Sequence, residues 1–262
     1  MSTIDTFIST SPSRRLFAVE LRKLVNTRVG TWLVAGMVLV LCLMTVAMVT
    51  TGGAEHLSFQ NMWGMLNLPM SFLLPILAIL LITSEWSQRT ALVTFALEPR
   101  RKRVLAAKMA TSLALTLAVL LVTAALAAAG TLLALTLRTG TPGWRLDGAV
   151  ARNLLMLQFA RILEGFAFGL LIRNSAVAIV SFLALPTAWT LLGSLIPWAG
   201  DHLRPWIDFA HAENPFQNGE APFESAGALT AADWAHLAVS LTIWVGVPLL
   251  IGARRLMRVE VK

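Results

Sequence analysis

Six apolar runs constrain this chain more than anything else in it, at about 31–50, 63–83, 108–137, 150–172, 175–197 and 234–252. Each is long enough to cross a hydrocarbon core. Lipid offers the backbone no hydrogen-bond partner, so such runs must fold as helices. Composition supports this: 56% of the 262 residues are hydrophobic and 13% charged, against roughly 25% charged in a soluble domain. A soluble globular protein is excluded. Six crossings at about 20 residues each leave room for short loops and tails but not for a separate enzyme domain. The reading is an all-α integral membrane protein, one membrane domain over 1–262. The third run carries no charge from Met109 to Leu137. That is too short for two crossings and too long for one upright crossing, so it should tilt or project.

Orientation follows from where the basic residues collect. Arg14, Arg15, Arg22, Lys23 and Arg28 precede the first run, and Arg89, Arg100, Arg101, Lys102, Arg103 and Lys108 lie between the second and third. Arg173 joins the fourth and fifth, and Arg254, Arg255, Arg258 and Lys262 end the chain. In a six-span chain all of these fall on one side, which predicts that side, with both termini, to be cytoplasmic. The opposite loops are poor in basic residues: 51–62 has none, and 198–232 has Arg204 against Asp201, Asp208, Glu213, Glu220 and Glu224. This asymmetry accounts for the net charge of +7, and no nucleic-acid partner is expected. The first thirty residues are polar and basic, and the first run is too long for a cleaved leader, so no signal peptide is expected. The single Cys42 excludes an intramolecular disulfide and a cysteine metal cluster.

Three segments outside the runs carry further pattern. Residues 14–28 place Phe17, Leu21, Leu24 and Val25 on one helical face, which predicts an elbow helix in the headgroup layer. Residues 85–97, EWSQRTALVTFAL, put Trp86, Val93 and Leu97 on one stripe and Glu85, Gln88 and Arg89 on another side. An amphipathic cytoplasmic helix is predicted there, stopped by Pro99. The RRKR run at 100–103 that follows reads as a topology anchor. Residues 198–232 hold Pro205, Pro215 and Pro222 with five aromatic side chains, too long for a structureless loop. Short helices near the outer surface are predicted.

Catalytic and nucleotide-binding signatures are missing. The phosphate-loop pattern G-x-x-x-x-G-K-[ST] does not occur, and His56, His202, His211 and His236 form no H-E-x-x-H pair. Gly193 and Ser194 lack a G-x-S-x-G context and a His or Asp beside them. No catalytic residue, cofactor or metal is therefore expected on this chain. Within the fourth run, Arg161 and Glu164 are three residues apart and so share a helical face. Ionisable groups at bilayer depth point into protein or a wet cavity. Two roles fit them: a neutralised pair that docks the helix, or a polar element of a translocation path or protonation site. Gly165 and Gly169 follow at the small-xxx-small spacing of close helix contacts. Pro69, Pro75, Pro186 and Pro248 each free a carbonyl within a run.

This arrangement resembles the permease subunit of type 2 ABC transporters. The likeness is carried by SEWSQRTALVTFALEPRRKRVLAAK at 84–108, GLLIRNSAVAIV at 169–180 and the ending WVGVPLLIGARRLMRVEVK. It covers nearly the whole chain, through the order and spacing of the motifs. The resemblance implies an exporter in a bacterial plasma membrane, with two permease copies, identical or related, and two separate ATPase subunits that hold ATP and magnesium. The helix at 85–97 would be the coupling helix, with Glu85 and Arg89 in polar contact with the ATPase. Trp86, Val93 and Leu97 would pack into its groove or onto the permease's own core, and Arg100 and Arg101 would meet lipid phosphate or the ATPase. Residues 198–232 would form outer re-entrant helices, with Leu191 and Leu192 as a candidate apolar gate. Largely apolar span walls point to a hydrophobic or amphipathic cargo, whether drug, peptide or lipid-like. The alternatives are a proton-coupled secondary transporter using Glu164, against which the lack of inverted repeats and of a second buried acid argues, and a lipid-modifying membrane enzyme, against which the lack of clustered polar catalytic groups argues.

Overall fold

The computed structural model describes residues 17–22, 27–53, 57–87, 100–137, 143–217 and 229–258, and these are helical with no strand among them. After helical residues 17–22 (α1) come α2 (Arg28–Thr51), α3 (Phe59–Ser87), α4 (Arg101–Leu137), α5 (Gly148–Ile172) and α6 (Ser175–Leu195). Three short helices follow: α7 (Pro197–His202), α8 (Arg204–Ile207) and α9 (Phe209–Gln217). The last crossing is α10 (Ala231–Leu241), a π-helical turn (Thr242–Gly246) and α11 (Val247–Arg258). Six helices are thus long and apolar enough to cross a membrane, the arrangement of a multi-pass membrane protein.

Local chemistry sets the ends of these helices. The Thr27 hydroxyl accepts from the Gly30 amide at 3.2 Å to start α2, and Asp147 Oδ1 accepts from the Ala149 amide at 2.7 Å to start α5. Arg173, in the left-handed conformation (φ 58°), ends α5, and the Asn174 side chain at once caps α6 on the Val177 amide. A two-residue turn therefore joins the fourth and fifth crossings. Thr230 and Asp233 form a capping box at the start of α10. Pro248 has no amide for the Trp244 carbonyl, and the helix widens into its π turn just before it.

α3 and α5 form the centre and make the most extensive helix pair. Met62, Leu66, Met70, Leu74 and Ile82 of α3 pack with Ile162, Phe166 and Leu170 of α5, flanked by Met37 and Leu41 of α2 and Leu120 of α4. Gly165 and Gly169 make the approach close enough. A Cβ on Gly165 would overlap the backbone of Pro75, and one on Gly169 would sit 3.1 Å from the Ile79 Cα. The small-residue spacing does what it was expected to do. At 37 residues, α4 is one unbroken helix of about 55 Å, against a core of about 30 Å.

The structure moves several expected boundaries. The second crossing continues as helix to Ser87, so Glu85 and Trp86 end α3 and do not open a new helix; residues 88–97 of the predicted coupling helix lie outside the described residues. The RRKR run belongs mostly to α4, which starts at Arg101. The predicted 14–28 helix has ended before Thr27, whose extended backbone caps α2. Within α1 it is Glu20 that is buried, while Leu21 is exposed, because the acid has a cation to meet inside.

Candidate functional site

Lipid-crossing helices tolerate polar side chains only where every donor finds an acceptor. The interior here meets that condition along one seam. Many hydroxyls return to the preceding turn, as Thr83 does to the Ile79 carbonyl at 2.7 Å and Thr131 to the Ala127 carbonyl at 2.9 Å. Others link helices. The Trp63 indole and the Asn67 amide both donate to Thr123 Oγ1 at 3.2 Å, tying α3 to α4. Gln158 Nε2 donates to Asn67 Oδ1 at 3.3 Å, carrying the seam to α5.

One turn further along α5 stands Arg161. Its guanidinium donates through Nη1 to Glu164 Oε2 at 3.2 Å and through Nη2 to Glu213 Oε1 of α9, with the Phe209 ring 4.3 Å from its carbon. Glu164 is wholly buried and Glu213 nearly so. The pair seen in the sequence is thus a triad of one cation and two carboxylates, which corrects the expectation that Glu164 has no second buried acid beside it. Arg161 Nε, Glu164 Oε1 and Glu213 Oε2 make no hydrogen bond. Beside the triad lies a cavity of about 40 Å³ between α3, α5 and α9, walled by Asn67, Ser71, Gln158, Arg161, Glu213 and apolar side chains including Leu154 and Phe216. Its edge includes Leu68, an exposed residue of α3.

The position of α9 makes this triad possible. Asp208, fully buried, accepts from the amides of Ala210 and His211 at the start of α9, from Arg204 Nε at 3.2 Å and from the Thr190 hydroxyl of α6 at 2.9 Å. The Trp244 indole donates to the Ile207 carbonyl at 2.6 Å, and its ring stacks on Phe168. Short helices were expected over 198–232, and α7, α8 and α9 occupy the described part, with α9 reaching inward to the middle of α5.

A second charge cluster lies at the end of the bundle rich in arginine. Lys108 Nζ donates to Glu20 Oε2 of α1 at 2.6 Å and to the Leu81 carbonyl at 3.2 Å, and stands 3.3 Å from Glu85 Oε1. All three residues are buried. This corrects the expected placement of Glu85 on a docking face: its carboxylate is turned to Lys108, within the chain. Trp86 packs against the main core, with the Arg173 guanidinium 5.5 Å over its ring. Burial, and then the charges of Arg255 and Arg101, hold Arg173 below its ordinary value.

The other expected site residues are dispersed. Arg100 is exposed just before α4, and Arg101 donates to the Leu256 carbonyl at 2.8 Å, fastening the start of α4 to α11. Arg89, Val93 and Leu97 lie outside the described residues. Leu191 and Leu192 are exposed near the end of α6. Sequence reasoning missed Glu213 and Glu20, the distant acids of the two clusters, and treated Lys108 as a loop cation. Among the described residues no group of three or more His, Cys, Asp or Glu side chains is placed to hold a metal ion. No family model, curated protein or solved structure matches this chain.

Proposed function

We propose that this chain is the permease subunit of an ATP-binding cassette exporter, forming the membrane path for a hydrophobic or amphipathic substrate and driven by a separate ATPase. The observation that carries the reading is the segment between the fifth and sixth crossings. α9 is folded back against α5 through the Glu213 to Arg161 contact, so the segment lines an interior cavity as a re-entrant element. The order of elements, with α7 to α9 in that place, supports the resemblance to type 2 permeases. The missing phosphate loop then means that the power stroke comes from a partner holding ATP and magnesium. In this reading the arginine-rich end is cytoplasmic and the membrane is a bacterial plasma membrane.

The exposed face of α6 supports a second permease copy. This helix is the least buried of the six crossings, with 17% of its apolar stretch buried within the chain against 28% for α2, α4 and the last crossing, 56% for α3 and 67% for α5. The path would run between α3 and α6 of the two copies, and ATP binding would favour its outward-open form through contacts made differently in the two states. With Glu85 turned inward, polar contact with the ATPase falls to Arg89 and Arg100, and Arg89→Ala replaces any Glu85 variant as the uncoupling test.

The test is purification of the chain with the ATPase encoded beside it, reconstitution, and measurement of substrate-stimulated ATP hydrolysis and transport. Arg89→Ala is expected to fold normally and to lower stimulation several-fold. A purified chain that moves cargo without any ATPase overturns the proposal.

A further inference from the structure

The cavity beside Arg161 adjoins an imbalance of charged groups that says what it would hold. Several of the donors around it are committed elsewhere. Asn67 Nδ2 serves the Trp63 carbonyl and Thr123, Gln158 Nε2 serves the Asn67 carbonyl and side chain, and the Ser71 hydroxyl serves the Leu68 carbonyl at 2.6 Å. Arg161 has given one N–H of Nη1 and one of Nη2 to its two acids, and its Nε is unengaged, while two buried carboxylate oxygens, Glu164 Oε1 and Glu213 Oε2, accept nothing. The triad thus sets two carboxylates against one guanidinium. An anion entering here would meet Glu213; a cation would complete it.

We propose that this cavity is a subsite for the cationic end of an amphipathic molecule, an ammonium or guanidinium group, with Glu213 Oε2 as its anchor. The Gln158 and Asn67 amides flank the charge, and Leu154 and Phe216 provide the apolar wall for the adjoining carbons. A cavity of about 40 Å³ admits a terminal ammonium with its first carbon, since one water requires about 10–15 Å³ on the same measure. The remainder of the molecule would lie past Leu68 toward Phe72, both exposed on α3. Naming this cation as cargo rests on the exporter reading; its binding to the chain does not.

The probe is 4-fluorophenethylamine, protonated at neutral pH, with 2-(4-fluorophenyl)ethanol as its uncharged counterpart. Fluorine NMR line broadening is measured on the purified chain in nanodiscs of uncharged lipid, with empty discs subtracted. The amine is expected to bind saturably and at least tenfold more tightly than the alcohol. Glu213→Gln is expected to abolish at least nine-tenths of that preference, and Ser71→Leu, which fills the cavity and leaves every charge in place, is expected to remove binding of both. If Glu213→Gln does not fold, Ser71→Leu decides. Equal affinity for amine and alcohol, or amine binding unchanged in a folded variant of either kind, overturns the proposal. A chain that binds the amine but never associates with an ATPase sinks the exporter reading alone, and an ATP-coupled chain indifferent to the amine sinks the subsite alone.

Discussion

Each of the two buried charge clusters has one cation and two carboxylates, yet they are built to different ends. Around Lys108, the two acids arrive from α1 and α3, and the ammonium also reaches the Leu81 carbonyl. Around Arg161, the guanidinium holds Glu164 on its own helix and Glu213 on a short helix outside the crossings, and a cavity opens beside them. The first cluster is a closed joint between three helices. The second stands beside a cavity whose wall includes Arg161 and Glu213. Burying charge costs several kcal/mol per ion unless geometry and hydrogen bonds repay it, and the cavity beside the second cluster is what sets it apart from the first.

The largest effect should come from breaking the closed joint. Lys108→Met leaves Glu20 and Glu85 buried without their cation, a loss of about 3–5 kcal/mol. Folded yield and thermal midpoint in detergent, followed by tryptophan fluorescence, should fall sharply. Adding Glu20→Gln and Glu85→Gln should restore much of the loss, because the uncompensated charges are then gone. A lone Lys108→Met chain as stable as the wild type would show that the joint is not closed.

Arg161→Met is the matching break in the open cluster, and it should cost less. One of its two acids, Glu213, borders a cavity large enough for water, so about 2–3 kcal/mol is expected where the closed site loses more. Equal losses in the two variants would erase the distinction between the clusters. Gly165→Val then tests the frame that both share. The added carbons meet the Pro75 backbone, which cannot rotate away as a side chain tip would, and overpacking of this kind costs about 1–3 kcal/mol. Its effect should appear as a lower midpoint in the wild type and in either charge variant alike.

The difference between the clusters also marks what the sequence made legible. All six crossings were readable, because lipid demands long apolar runs of any helix it surrounds. Their ends were not, because hydropathy falls where helices leave the apolar zone while the hydrogen-bond ladder continues. Thus Glu85 to Ser87 read as the start of a separate helix and Arg101 to Arg103 as a basic anchor ahead of the third run, and they fold as the continuous ends of α3 and α4. The Arg161 and Glu164 contact was legible from its spacing of three. Its third member, Glu213, is 52 residues away, one of five acids in an outer segment where nothing in the sequence singles it out. For Lys108 a signal was present and went unused. Lys108, Ser112, Thr116, Thr123 and Thr131 recur at helical spacing along α4, and all are buried. A polar stripe on an otherwise apolar helix marks its inner face.

The smallest effect concerns how Glu213 is delivered to its partner. α9 buries Phe209 and Phe216 in a small apolar cluster with Leu157 and Leu237, and its start is fixed by Asp208 and by the Trp244 indole, which donates to the Ile207 carbonyl at 2.6 Å from the π turn. Trp244→Phe keeps the ring that stacks on Phe168 and deletes that one donor, a loss of about 0.5–1.5 kcal/mol. The global midpoint should hardly move. Amide hydrogen exchange should instead quicken over α8 and α9, while the amides around Lys108 keep their protection, because only the open cluster depends on a short helix that one hydrogen bond helps to seat. Exchange that rises equally at both clusters would mean that the two are one cooperative unit, and that the open site is no more adjustable than the closed one.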